Sequence, residues 1–260
     1  MTSLLSTIQK TKHETPPRIL IHGAEKSGKS TFSAGAPKPI FLRTEDGLNG
    51  IDADAFPLAL DAETVRQQLM TLVNEDHDFK TVVLDSADWL ERLVHEAVCK
   101  KEGVDNIIRA GGGYGNGYTL AMNIWKAIFA LLDKLNREKG MIVIVICHSR
   151  IVTVNDPLHE PYDVASLKLH TPKNGNGAAD MLKEWADIIG YARIPLLVAD
   201  GKPLSDTSTG GNILILGNSP GCLAGNRYGL PHELPLSWRA FQAAFKKATT
   251  DTTTTTTKEA

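Results

Sequence analysis

Eight consecutive residues, Gly23-Ala24-Glu25-Lys26-Ser27-Gly28-Lys29-Ser30, carry the clearest chemistry in the chain. Glycines at the first and sixth positions let a backbone curl so that successive N–H groups face an anion, and a lysine and a hydroxyl follow at once. In such a P-loop Lys29 bridges the β- and γ-phosphates as a point charge, while Ser30 offers its hydroxyl to Mg2+. Residues 23–31, Thr31 included, are therefore the expected nucleotide contacts. A Gly-Lys-Ser surface turn has the same letters. Context favours phosphate, because the apolar run Arg18–His22 leads straight into Gly23 and a helix can open from Thr31.

Three more polar residues stand at the ends of apolar runs. Asp85 closes Thr81-Val82-Val83-Leu84 and is the expected second Mg2+ ligand, a strand-ending cap being the alternative. Residue 86 is Ser, so no Asp-Glu pair follows and the carboxylate that polarises the attacking water must come from elsewhere. Glu45, just after Ile40–Arg43, is expected to supply it from a strand lying beside the P-loop strand. Asp46 is the neighbour that could be confused with it, and a solvated loop acid is the other reading. His148 follows the run Met141–Cys147; it either reaches the γ-phosphate and reports it or is simply hydrogen-bonded at a strand end.

Elements that could position these groups are legible. Arg18–His22, Ile40–Arg43, Thr81–Asp85 and Met141–Cys147 are continuous, β-branched and apolar, the pattern of strands buried on both faces in a parallel sheet. Between them, Ala62–Asn74 and Tyr118–Lys139 place apolar residues at helical spacing. The alternation predicts an α/β fold with a mainly parallel central sheet flanked by helices. Ala186–Ile194 and Asn212–Leu216 read as later strands, and Asp200-Gly201 as a hairpin turn. Trp89, Trp125, Trp185 and Trp238 read as core residues.

Composition bounds the rest. With 260 residues and a net charge of −2 the chain suits one large domain, and nothing in the charge balance advertises nucleic acid or a membrane. Cys99, Cys147 and Cys222 form no Cys-x-x-Cys pair, which argues against a disulfide framework or zinc and fits a reducing cytoplasm. His148, His159 and His170 are separated by prolines and are not expected to share a metal. The longest apolar run is far short of the ~20 residues a membrane helix needs, so a soluble protein is expected. Residues 1–17 read as an N-terminal extension ending in Thr15-Pro16-Pro17, residues 18–248 as the ATPase domain, and residues 249–260 as a disordered Thr-rich tail.

In their order these motifs resemble the RecA-like P-loop NTPase core and, more narrowly, phage-encoded AAA ATPases with a single RecA-like domain, some of them single-strand annealing or recombination proteins. The resemblance covers residues 17–245. It rests on residues 23–30, Thr44-Glu45-Asp46-Gly47, Val82-Val83-Leu84-Asp85-Ser86, Ile146-Cys147-His148-Ser149 and Gly225-Asn226-Arg227-Tyr228-Gly229-Leu230-Pro231. It implies Mg-ATP hydrolysis with Glu45 as the water-activating acid and Asp85-Ser86 on the Mg2+ strand. His148 falls at the γ-phosphate sensor, where such proteins usually carry Gln. Arg227 falls in a late basic motif that reaches a neighbouring subunit's ATP, so a homo-oligomer is implied. Single-stranded DNA is the implied partner, through residues 110–118 and 150–180, with a single-strand binding protein as a further one.

The residues of those two segments leave alternatives open. Residues 110–118 combine glycines with Tyr114 and Tyr118, whose rings could stack on bases. Residues 150–180 hold Arg150, Lys168, His170, Lys173 and Asn174-Gly175-Asn176-Gly177, but also Asp156, Glu160 and Asp163, and read equally as a lid over ATP. A small-molecule kinase would need an arginine-rich lid, and Arg150 is the one arginine there. A slowly hydrolysing, nucleotide-gated switch is the third reading. A GTPase is disfavoured because no Asn-Lys-x-Asp occurs.

Overall fold

The computed structural model describes Leu5 and residues 15–172, 175–199, 202–205 and 211–255. In chain order the elements are β1 (Arg18–Gly23), α1 (Lys29–Ala34), β2 (Pro39–Arg43), β3 (Asp54–Ala55), α2 (Ala62–Asn74), β4 (Thr81–Asp85) and α3 (Ala87–Glu102). A 3-10 segment, Ile107–Gly112, leads to α4 (Asn116–Arg137), β5 (Ile142–Val154), β6 (Tyr162–Leu167), α5 (Ala178–Trp185) and β7 (Ile188–Arg193). The remainder is β8 (Leu196–Ala199), β9 (Lys202–Ser205), β10 (Ile213–Ile215), β11 (Gly225–Asn226), β12 (Glu233–Pro235) and α6 (Trp238–Thr255).

The main sheet runs β12-β10-β7-β1-β5-β4-β2-β3, and from β7 to β3 every pairing is parallel. Successive strand residues face opposite sides, so a strand covered on both faces must be apolar throughout. Val143, Val145 and Cys147 pack under α2, α3 and α4, while Ile144 and Ile146 pack with Phe32 of α1 and Phe241 of α6. This is the expected α/β fold, a mostly parallel sheet between helices, consistent with an AAA or RecA-like P-loop core.

Several expectations change on folding. The strand begun at Met141 does not stop at Cys147: β5 continues to Val154, and its outer half pairs antiparallel with β6, Ser149 opposite Leu167 and Val154 opposite Tyr162. Ile151, Val152, Thr153 and Val154 are β-branched, which favours extension beyond the sheet. Residues 150–180 are thus largely a hairpin and the start of α5 rather than a long loop; Lys173 and Asn174 lie outside the described residues. The β8–β9 pairing is present, with Asp200 and Gly201 themselves also outside. α6 extends to Thr255, past the point where a tail was expected. Thr249 and Thr250 donate their hydroxyls to the carbonyls of Phe245 and Lys246, which lets threonine sit in a helix. Trp125 and Trp238 are buried, but Trp89 is half exposed, covered by the Arg92 guanidinium 4.2 Å from its ring centre.

Candidate nucleotide site at the carboxyl edge of the sheet

Strand register gathers the predicted groups. β1 and β5 align Gly23 with His148, and β4 and β5 align Asp85 with Ile146, so Gly23, Asp85 and His148 all emerge at one edge. Gly23 must be glycine: a Cβ there would stand 2.4 Å from the Ala192 carbonyl of β7. Gly28 enters α1 at φ 95°, a conformation glycine adopts without strain. Asn212 donates to the Ser27 carbonyl at 2.8 Å and ties the loop to the start of β10. Ala24, Glu25 and Lys26 are exposed at the loop tip, and Thr31 is exposed on α1. Glu25 pairs across 3.5 Å with Lys168, just beyond β6, an exposed ion pair of small energetic weight.

Lys29 is buried. Its ammonium donates to the Gly23 and Ala24 carbonyls at 3.0 and 2.7 Å. Burial lowers its pKa, opposed by the charges of Asp85 and Asp88. Ser30 donates to Asp85 Oδ2 at 2.7 Å. Burial raises the Asp85 carboxyl, opposed by that hydrogen bond and by Lys29. A hydroxyl and a carboxylate this close fit Mg2+, a hard cation that binds few protein oxygens and completes its shell with phosphate and water. Among the described residues no group of three or more His, Cys, Asp or Glu could cage a metal, so those remaining ligands would have to come from outside the chain.

The strand before Glu45 does not lie beside the P-loop strand, as expected from sequence. Two strands, β5 and β4, lie between β2 and β1. Glu45 still reaches the site because Thr44 folds the chain back over β4. Its N–H donates to the Asp85 carbonyl at 2.8 Å, its hydroxyl donates to the Ser86 carbonyl at 2.7 Å, and it accepts from the Ser86 N–H at 2.8 Å. Glu45 is half-buried, and burial raises its pKa, with the neighbouring His148 opposing. Asp46 instead turns outward and pairs with Arg43.

His148 ends the buried half of β5. It is hydrogen-bonded at the strand end, it stands close enough to Glu45 and Asp85 to lower their pKa values, and Lys29 in turn lowers its own. Its bonding partner, Asp88 in the first turn of α3, was not foreseen. The signal was present: Ala87, Leu90, Val94 and Val98 repeat at helical spacing and are buried, which puts Asp88 at a helix start beside the Mg2+ strand.

Arg227 lies elsewhere. Its guanidinium pairs with Asp187 at 3.2 Å and donates to the Glu184 carbonyl, and Asp187 is also held by Arg18. Arg18 opens β1 and Gly23 closes it, so by strand rise this cluster is roughly 17 Å from the P-loop. Arg227 therefore makes no contact with the nucleotide site of its own chain, because β11 adds antiparallel at Ile188 and Ile189, near the opposite end of β7.

The two segments expected to hold DNA do meet. Tyr118 stacks on His170 at 3.6 Å between ring centres, and both line a groove of about 930 Å3 with Tyr114, Asn116, Asn176 and Lys126. Residues 110–118 are not a free loop, however. Ala110 is fully buried, and Asn116 donates to the Gly111 carbonyl from the first turn of α4. Tyr114 is fully exposed. Burial lowers His95 to about 4 and also lowers His170, so neither brings positive charge to the groove at neutral pH.

The family model described as AAA domain matches residues 15–228, from just before β1 to just beyond β11. The chain belongs to this family. Domains of this family are P-loop NTPases that generally bind and hydrolyse ATP with Mg2+. The AAA domain is also similar to an SPbeta prophage-derived uncharacterized protein, YorG, of Bacillus subtilis (strain 168), 27% identical over 135 residues. That alignment takes in 50% of this chain and 40% of the relative, so the chain spans well under two thirds of the protein it matches. Among the described residues no helix is long and apolar enough to cross a membrane.

Proposed function

We propose that this AAA domain hydrolyses Mg-ATP with Glu45 as the general base and couples turnover to single-stranded DNA, as in phage recombination or annealing. The observation that carries hydrolysis is the convergence of Lys29, Ser30, Asp85, Glu45 and His148 on one edge of the sheet. Lys29 holds the terminal phosphates. Ser30 and Asp85 would hold Mg2+, which when bound neutralises developing charge on the phosphoryl oxygens. Glu45 takes a proton from the attacking water, and its raised pKa makes it a stronger base than a solvated carboxylate. The buried Ser86 hydroxyl, which lies beside both Glu45 and Asp88, is the second group able to hold that water.

Support for DNA as the partner is the meeting of residues 110–118 with His170, and the exposed Tyr114 ring beside the groove. The groove also contains Asp180 and Glu184, so stacking rather than phosphate pairing would supply most of its affinity. The test is ATPase rate with and without single-stranded oligonucleotide at low salt, beside a sizing measurement for a homo-oligomer. Stimulated turnover is expected; an unchanged rate together with no oligonucleotide binding rejects DNA coupling.

A further inference from the structure

Asp88 sits at the start of α3, buried, and none of the motifs above assigns it a task. Its Oδ1 accepts the backbone N–H of His148 at 3.0 Å and faces the ring Nδ1 at 3.1 Å, while Oδ2 faces the same Nδ1 at 3.0 Å. One carboxylate therefore fixes both the backbone and the ring of the residue at the tip of β5's buried half. A carboxylate against Nδ1 requires a proton there, which leaves Nε2 as the outward nitrogen and holds the imidazole plane in place. Among the described residues Nε2 has no hydrogen-bond partner.

We propose that Asp88 is a positioning residue that holds His148 as a charged donor aimed at the terminal phosphoryl group of the bound nucleotide. The proposal rests on the P-loop reading above. Charged groups around His148 are Lys29 of α1, Glu45 after β2, Asp85 of β4, Asp88 of α3, Glu25 of the P-loop and Lys168 beyond β6, whose N–H donates to the His148 carbonyl and whose ammonium pairs with Glu25. Its hydrogen bond to Asp88 raises the imidazole pKa, burial opposes, Lys29 lowers it and Glu45 raises it. Burial would raise the Asp88 carboxyl, but the bonds from His148 outweigh it and keep the acid ionised. An imidazolium there adds a second cation beside Lys29, where charge develops on the phosphoryl oxygens. An uncharged amide in its place would donate a hydrogen bond without that charge.

Asp88→Asn tests this, because the amide oxygen can still accept the His148 backbone N–H. Two readouts separate it from the hydrolysis proposal. In the nucleotide-free protein, the NMR titration midpoint of the His148 ring is expected to fall by about 1–3 pH units in Asp88→Asn. In the ATPase assay, activity that depends on imidazolium is lost as pH rises through the His148 pKa, and that alkaline limb should move down in the variant by the same amount. His148→Gln should abolish this limb, and adding Asp88→Asn to it should change the rate less than twofold. An unmoved His148 midpoint overturns the proposal. So does a moved midpoint with an unmoved rate profile, or an equal loss from Asp88→Asn in both backgrounds, each of which makes the pair structural only. Should Asp88→Asn misfold, His148→Gln decides alone: loss of the limb supports the proposal and an unchanged profile rejects it. A chain without ATPase activity would defeat the hydrolysis reading while the NMR titration still reported on Asp88.

Discussion

Asp88 and Glu91 stand three residues apart on α3 and do the same structural work in two different regions. Asp88 accepts the backbone N–H of His148, where the β5–β6 hairpin leaves the sheet; Glu91 accepts that of His170, where the chain returns, at 2.9 and 3.1 Å. Their ionisation differs. Asp88, beside His148, is held below the usual carboxylate range. Glu91, at the groove, is raised to about 7 by burial, which the His170 bond and Arg150 only partly offset. At the nucleotide edge Asp88 thus keeps its charge through its partner, while at the groove burial disfavours that of Glu91. A hairpin rooted on both carboxylates links the two, and one side of its base touches the P-loop through Lys168 and Glu25.

The contrast can be broken at the nucleotide edge first. Glu45→Gln is expected to lower kcat by about 10²–10⁴-fold with ATP binding retained, read by single-turnover kinetics beside fluorescent-nucleotide binding. Lys29→Ala should lose about 10²–10³-fold in turnover or abolish binding, because alanine removes the buried ammonium proposed to hold the terminal phosphates. Wild-type ATPase in Lys29→Ala would remove the mechanism.

Smaller effects sharpen the groove side. A carboxyl raised in the folded state contributes stability that is present below its unfolded value of 4.5 and lost as pH rises through about 7. Glu91→Gln keeps an acceptor for the His170 N–H without the charge. It should be more stable than the parent at pH 8 by about 1–3 kcal/mol, with the difference vanishing near pH 4.5, as thermal melts across pH would show. Equal melts at pH 8 would mean that Glu91 is not buried as described. Tyr114→Ala should leave the melting temperature unchanged and weaken single-stranded DNA binding by about 5–100-fold. Unchanged DNA affinity would separate the groove from any nucleic-acid role.

Legibility followed locality. α2 is marked by Asp61, which accepts from the Thr64 N–H at 2.7 Å, and by buried Val65, Leu69 and Leu72, all within one stretch of chain. The P-loop is equally local, since its glycines and lysine act within a single turn. Glu45 comes near the P-loop by a route other than the expected one: it is carried across β4 by the hydrogen bonds of Thr44, and not on a strand adjoining β1. The hairpin was missed because β5 changes its surroundings at His148, from a sheet buried on both faces to a two-stranded ribbon, while its apolar, β-branched character continues. Arg227 was placed by motif order, which carries no information about which end of a strand a short antiparallel addition will join.

The sequence by itself determined the parallel strands and the phosphate loop, because each follows from periodicity or from contiguous residues. Tertiary structure alone decided that β5 lies between β1 and β4, that Asp88 grips His148, and that Tyr118 stacks on His170. The two side-chain contacts join residues 60 and 52 positions apart, and strand order and helix orientation, which no local pattern encodes, bring them together.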